Sequence, residues 1–181
     1  MGSIEKTARR KSNRRRTSRV ANVLTALLLC GCGYSFSSRT NPHIATIAIP
    51  IFENSTLEKG LEDRLADRIT DAFLADKRLR VVKEKDADSV IDGKIERYDR
   101  TPFSYDKAQN VQEYRVEMTL HVTYEDRKKN HVVWEERAMT AWGTYSVSAN
   151  LPGGIEEESA AQTRAIDKAA QDILIKTVQG W

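Results

Sequence analysis

The chain has 181 residues, with 29 Lys and Arg against 26 Asp and Glu, a formal net charge of +3. That surplus resides in the first nineteen residues, where Lys6, Arg9, Arg10, Lys11, Arg14, Arg15, Arg16 and Arg19 face the single acid Glu5. Without residues 1–31 the cations fall to 21 and the acids to 25, so the remainder carries about −4. A nucleic-acid partner, which needs cations against phosphate, loses its main support.

Behind the basic leader runs Val20 to Leu29, interrupted only by Asn22 and Thr25. A membrane-spanning helix needs roughly 20 apolar residues. The run is too short to span and suits the apolar core of a secretory signal. Leu29-Cys30-Gly31-Cys32 then matches the pattern of a lipoprotein cleavage site, with Cys32 as the acylated residue. Cys30 is the poorer acceptor, because bulky Leu29 would occupy a position where the signal peptidase takes a small side chain. The competing reading is a nucleic-acid-binding arm followed by a buried strand. Residues 1–31 are thus expected to be a signal peptide, 32–42 a lipidated N-terminus and polar tether, and 43–181 a single domain. Gly33 in place of Asp directs such a lipoprotein to the outer membrane. One acyl chain holds only marginally, whereas the three that lipoproteins carry on one cysteine make a durable anchor. With Cys30 removed and Cys32 acylated, no disulfide remains possible.

Within the domain, Ile44 to Ile49 is β-branched and apolar, as a covered strand is. Ser55 and Glu58 have capping-box spacing. Leu57, Leu61, Leu65, Ile69, Ala72 and Phe73 then form a helical stripe, with charges on the opposite, solvated side. Strands are predicted over Leu79–Lys83 and from Ser89 to about Tyr98, with Gly93 marking a bulge or a close crossing. Arg100 to Asn110 reads as a long connection. Tyr114 to Tyr124 alternates apolar and polar residues strictly, so one strand face packs on a core and the other meets water or a polar partner. His131 to Trp142 returns antiparallel after a tight turn. Glu156, Glu157 and Glu158 suit the first turn of a final helix, whose buried stripe is Ile155, Ala161, Ala165, Ile166, Ala169, Ile173 and Leu174.

This order predicts an α+β two-layer sandwich: a mixed four- to five-stranded sheet with two helices on one face, in β-α-β-β-β-β-α order. The first two strands should be parallel across the helical crossover, and the later connections antiparallel. The polar row from Arg115 to Glu125 should stay free of helices.

Chemistry is sparse. His43, His121 and His131 stand alone, outside any H-E-x-x-H spacing, and neither a nucleophile elbow nor a P-loop occurs. No catalytic residue, metal ligand or cofactor is expected. Arg127-Lys128-Lys129, at the tip of the longest hairpin, reads either as a solvated turn or as a grip for glycolipid phosphates. Phe103 and Tyr105 would add apolar contact if their segment lay nearby.

Several stretches resemble the LptE family of lipopolysaccharide-assembly lipoproteins. They are Cys32-Gly33-Tyr34-Ser35-Phe36, the run from Ile47 through Pro50 and Phe52 to Thr56, Ala87 to Ile95, and the Ala-rich last helix. The resemblance implies a lipid-anchored protein of the outer membrane whose periplasmic-side domain enters the lumen of the β-barrel LptD. There it plugs the barrel, helps it assemble and contacts lipopolysaccharide. The strand and helix entry at 47–56 also resemble lipoproteins of the CsgG and LpoB type, which build a secretion pore or activate cell-wall synthases.

Overall fold

The computed structural model describes residues 43–151 and 153–179. The signal peptide, Cys32 and the tether to residue 42 lie outside the described residues.

The elements run β1 (Thr46–Ala48), β2 (Glu53–Asn54), α1 (Leu61–Asp76), β3 (Arg80–Val81), a 3₁₀ turn (Glu84–Asp86), β4 (Ser89–Tyr105), β5 (Val111–Asp126), β6 (His131–Ser146) and α2 (Glu158–Val178). They form one mixed sheet in the order β3-β1-β4-β5-β6, with β2 also paired to β4. Both helices bury their apolar stripes against one face of it. Leu65, Ile69 and Phe73 of α1 share a core with Ile166 and Ile173 of α2 and with Ile91, Ile95, Met118, Leu120 and Val122 of the sheet. The fold is thus the α+β two-layer arrangement that the periodicity implies.

Four local expectations give way. The sheet has a sixth strand, β2, whose two residues pair in parallel with Lys94 and Ile95. The helix starts at Leu61 rather than near Ser55, behind Gly60 in the left-handed region (φ 81°). Asn54, not a Ser55–Glu58 box, organises the entry. Its Oδ1 accepts the Thr56 amide at 2.9 Å and the Thr56 hydroxyl at 2.8 Å. Its Nδ2 donates to the Glu58 carbonyl at 2.8 Å and to Glu62 at 2.7 Å. Leu57 is consequently left outside the helix and exposed.

The third difference is topological. β1 is parallel to β3, as the crossover demands, but it is also parallel to β4 on its other side. Residues 82–88 carry the chain past β1 instead of reversing it. Finally, β4 continues through the expected connection as far as Tyr105. Beyond Ile95 no described strand lies on its β2 side, so Pro102, paired with Tyr114 on the other side, sits on an edge that tolerates its missing N–H.

Two glycines set the packing distance. A Cβ at Gly93 would lie 2.6 Å from the Phe52 ring, so this residue seats Phe52 rather than a helix. The helix crossing occurs at Gly143 instead, where a Cβ would collide with the Ala161 carbonyl and lie 2.8 Å from Arg164 Cβ. Ala161, Ala165 and Ala169 are fully buried on the facing stripe, which lets α2 approach this closely. Ile155 lies outside α2 and is exposed.

Candidate functional site

The sheet face that no described helix covers is built by alternation. Along β5, Val116, Met118, Leu120, Val122 and Tyr124 point into the core, and Arg115, Glu117, Thr119, His121, Thr123 and Glu125 point away from the helices. The register extends this polar row sideways. Lys94 lies opposite His121, Arg97 opposite Thr119 and Asp99 opposite Glu117 on β4. On β6, Thr140 lies opposite Thr119 and Glu135 opposite Thr123. A register shift between Ile95 and Arg97 keeps both faces in phase along the long β4 strand.

Charges on this face are organised in pairs. His121 Nε2 is 2.8 Å from Glu135, which also accepts from Arg137 Nε at 3.1 Å. The Arg137 guanidinium, then the His121 ring, holds the Glu135 carboxyl below its usual range. Lys94 pairs with Glu53 of β2 at 2.8 Å. Arg115 pairs with Glu117 and lays its guanidinium 4.7 Å over the Trp142 ring. Trp142 in turn stacks on Phe103, with ring centroids 6.5 Å apart. Phe103, Tyr105 and Trp142 are 50%, 52% and 41% exposed, so the end of the sheet near the 106–110 turn presents apolar rings.

The opposite end carries Arg127, Lys128 and Lys129. Two of these cations have internal partners. Arg127 donates to the Glu84 carbonyl at 2.7 Å, and its amide donates to the Asp88 carbonyl at 2.9 Å. Lys128 donates to the His43 carbonyl and pairs with Asp88, both at 2.8 Å. The Lys129 side chain is exposed and makes no polar contact with the described residues; its backbone amide caps Asp126 at 3.1 Å. Phe103 and Tyr105 belong to the far end of the sheet and do not join this tip.

Sequence reasoning missed the acids that bind the tip. Asp88 also receives the amides of Ala45 and Thr46 at 2.8 and 3.0 Å. Lys128, followed by these amides, holds its carboxyl far below the ordinary range. Asp126 is fully buried. Burial pushes its carboxyl up, but His43 and the backbone amides of Lys129 and Lys128 outweigh that, and the net direction is down. His131 Nδ1 lies 4.0 Å from the same carboxylate.

Of the three glutamates expected in the first turn of the last helix, only Glu158 lies in it, and Glu156 and Glu158 bind the sheet end. Glu156 pairs with Arg164 and receives the Ser146 amide at 3.3 Å. Glu158 accepts the Tyr98 hydroxyl at 2.6 Å and Arg100 at 3.2 Å. Burial first, and then Glu158, pushes the Tyr98 phenol up. Arg64 and Arg68, expected on a solvated face, bridge α1 to Gln162, Thr163 and Asp167 of α2. Among the described residues no group of three His, Cys, Asp or Glu is placed to hold a metal ion, and no helix is long and apolar enough to cross a membrane.

A profile of the LptE lipopolysaccharide-assembly family matches residues 44–177. The chain belongs to that family. The match spans every element from β1 to α2, so the open face and the tip both lie within the LptE region. No curated protein matches the chain significantly. Among solved structures, the hypothetical protein CT253 from Chlamydia trachomatis superposes with a TM-score of 0.51 at 10% identity, over 74% of this chain and 95% of the other. Protein XCC0632 from Xanthomonas campestris gives 0.50 at 14% identity, over 76% and 88%. Rare lipoprotein B from Shewanella oneidensis gives 0.43 at 16% identity, over 71% and 91%. At such identities the first two speak for a shared α+β fold and no further.

Proposed function

We propose that this protein is an outer-membrane lipoprotein, acylated on Cys32, whose domain seats in the lumen of an LptD-type β-barrel. There it plugs the barrel, helps it assemble and assists the insertion of lipopolysaccharide at the cell surface. The observation that carries the reading is the sheet face from Arg115 to Glu125. It is a broad surface of mostly paired charges and threonines that no described helix covers. Such a face suits the wet, polar interior of a large barrel, where an apolar face would be mismatched. Lys94, Arg115, Glu117, His121, Glu135 and Arg137 on and beside it already have partners, so most of its charge enters a confined space compensated.

The work proposed is binding, with no reaction step. Most outward charges pair with one another, and the buried acids hold the fold together. At the tip, Lys129 and the outer edge of Arg127 offer cations to a lipid phosphate, while Lys128 is taken up by Asp88 and His43.

Purification from outer membranes after crosslinking tests the reading. The expected result is a stable one-to-one complex with a large β-barrel that also carries lipopolysaccharide. Recovery of the protein alone, with a synthase, or as a ring of its own copies would overturn it.

A further inference from the structure

The end strand β6 pairs with β5 on one side and with no described strand on the other. An unpaired edge is a template for a further strand, and proteins blunt such edges by shortness, charge, proline or bulges. The other edges of this sheet are blunted. β3 is two residues long, and β4 from Ile95 onward carries Arg97, Asp99, Arg100, Pro102 and three register shifts. The first half of β6 is treated in the same way, with Glu135, Glu136, Arg137 and two register shifts. From Met139 to Thr144 the strand is regular, uncharged and free of proline.

Hydrogen bonding shows which groups of this run are open. The Val147 amide donates to the Gln112 carbonyl at 2.9 Å, so Ser146 and Glu113 face each other without exchanging bonds. The register is unbroken from Ser146 back to Met139, so the amides and carbonyls of Thr144, Trp142 and Thr140 also point away from β5. Glu156 binds both backbone groups of Ser146, and Arg164 donates to the Thr144 carbonyl. The Thr144 amide and both backbone groups of Trp142 and Thr140 have no partner among the described residues. Beside them a shallow cleft of about 390 Å³ separates the strand at 138–140 from Asp172, Ile175 and Lys176 of α2. It lies on the helix side of the sheet, where a side chain opposite Met139 on an added strand would point. Its charges are already matched, Lys176 with Glu136 and Lys168 with Asp172. What remains to be covered is apolar, at Met139 and Ile175.

We infer that β6 receives one further strand from the protein that covers the open face. The strand is an extended segment that pairs its backbone with Thr140 and Trp142 and sets a large aliphatic side chain, opposite Met139, into the cleft. Main-chain bonds then supply affinity and the cleft supplies selectivity. This rests on the seating proposed above, because the Thr140, Trp142 and Thr144 side chains belong to the open face and a partner lying there borders the same edge. The wall strands of a closed barrel have no edge to offer, so the segment comes from an inward loop of the partner. A second copy of this chain does not fit. In the antiparallel registers that pair Thr140 and Trp142 with themselves or each other, the residue opposite Met139 is Ala141, Gly143 or Tyr145. The first two are too small for the cleft, and Tyr145 is buried against Tyr114 in its own sheet.

Hydrogen exchange on the full-length protein, free and in the complex purified from outer membranes, tests this residue by residue. The Thr140 and Trp142 amides should exchange rapidly in the free protein and at least about a hundredfold more slowly in the complex. The Ala141 and Gly143 amides, which face β5, should be slow in both. Thr140→Pro removes an outward N–H without touching the β5 ladder. It should lower recovery of the barrel companion about fivefold, the effect of one lost hydrogen bond, whereas Thr140→Ala keeps the amide and should recover it as the unsubstituted chain does. A complex whose 140 and 142 amides exchange as in the free protein would overturn the inference and leave the seating intact. Slow exchange with undiminished recovery of Thr140→Pro would also overturn it, since the edge would then be shielded without being paired. Protection already present in the free protein would overturn it in favour of this chain's own residues or a second copy. Purification without any barrel companion would overturn the seating itself, and the inference with it.

Discussion

Strand β5 exposes two environments 180° apart along one backbone. Val116, Met118, Leu120 and Val122 are fully buried beneath the helices, whereas Arg115, Glu117, Thr119 and His121 on the other side are partly exposed. The covered side is organised by volume: glycine and alanine set the helix distance, and Phe73 fills the space. The open side is organised by charge pairing and makes few demands on volume. The same strand therefore meets two demands, close packing on one side and, on the proposed reading, complementarity to a partner on the other.

The sharpest way to break this contrast is in the covered layer. Phe73→Ala removes a fully buried ring and should cost about 3–5 kcal/mol, read as a lowered urea midpoint of the full chain. Gly143→Ala forces a methyl group into the Ala161 carbonyl and should cost about 1–3 kcal/mol, read as a fall in Tm. A neutral result at Gly143 would mean that α2 does not cross the sheet so closely.

Acidity probes the latched end. Asp88 and Asp126 are held below the ordinary carboxylate range in the folded chain, so both keep their charge to lower pH folded than unfolded. Their stabilisation is complete above the unfolded value of about 4 and disappears as pH falls through the lowered folded values. The urea midpoint should stay nearly level from about pH 7 to 5 and drop below about 4. Asp126→Asn should reduce that drop, and an unchanged profile would remove Asp126 from the latch.

The open face completes the series with the smallest effect on stability. Thr119→Lys should change the unfolding free energy by less than about 0.5 kcal/mol. Recovery of the barrel companion from membranes should nevertheless fall, because an uncompensated charge enters a paired surface. A variant that unfolds, or one that binds as before, would erase the distinction between the two faces.

The strict alternation from Tyr114 to Tyr124 made the two faces readable in sequence, and the helical stripes identified the covered one. Boundaries were less legible. Pro102 concealed the outer third of β4, because a proline is compatible with a strand only when its open side has no neighbour, and that is a tertiary fact. Ser55 and Glu58 had capping spacing, yet Asn54 supplied both a donor and an acceptor to the loop and moved the helix start to Leu61. The tip cations showed their charge but not their partners. Glu84, Asp88 and His43 lie roughly 40 to 85 positions away in the chain, and local pattern does not reveal pairs so distant. Likewise, Gly143 lay in an unremarkable strand, and only the crossing helix shows its purpose.

The central claim is that the open face lies against the inside of a barrel. A photocrosslinker at Thr119 in the full-length protein, activated in growing cells, tests it most directly. The account predicts a dominant adduct with one large outer-membrane β-barrel, from a position that water would otherwise cover. An efficiently incorporated, well-folded protein that gives no barrel adduct at this position would contradict it.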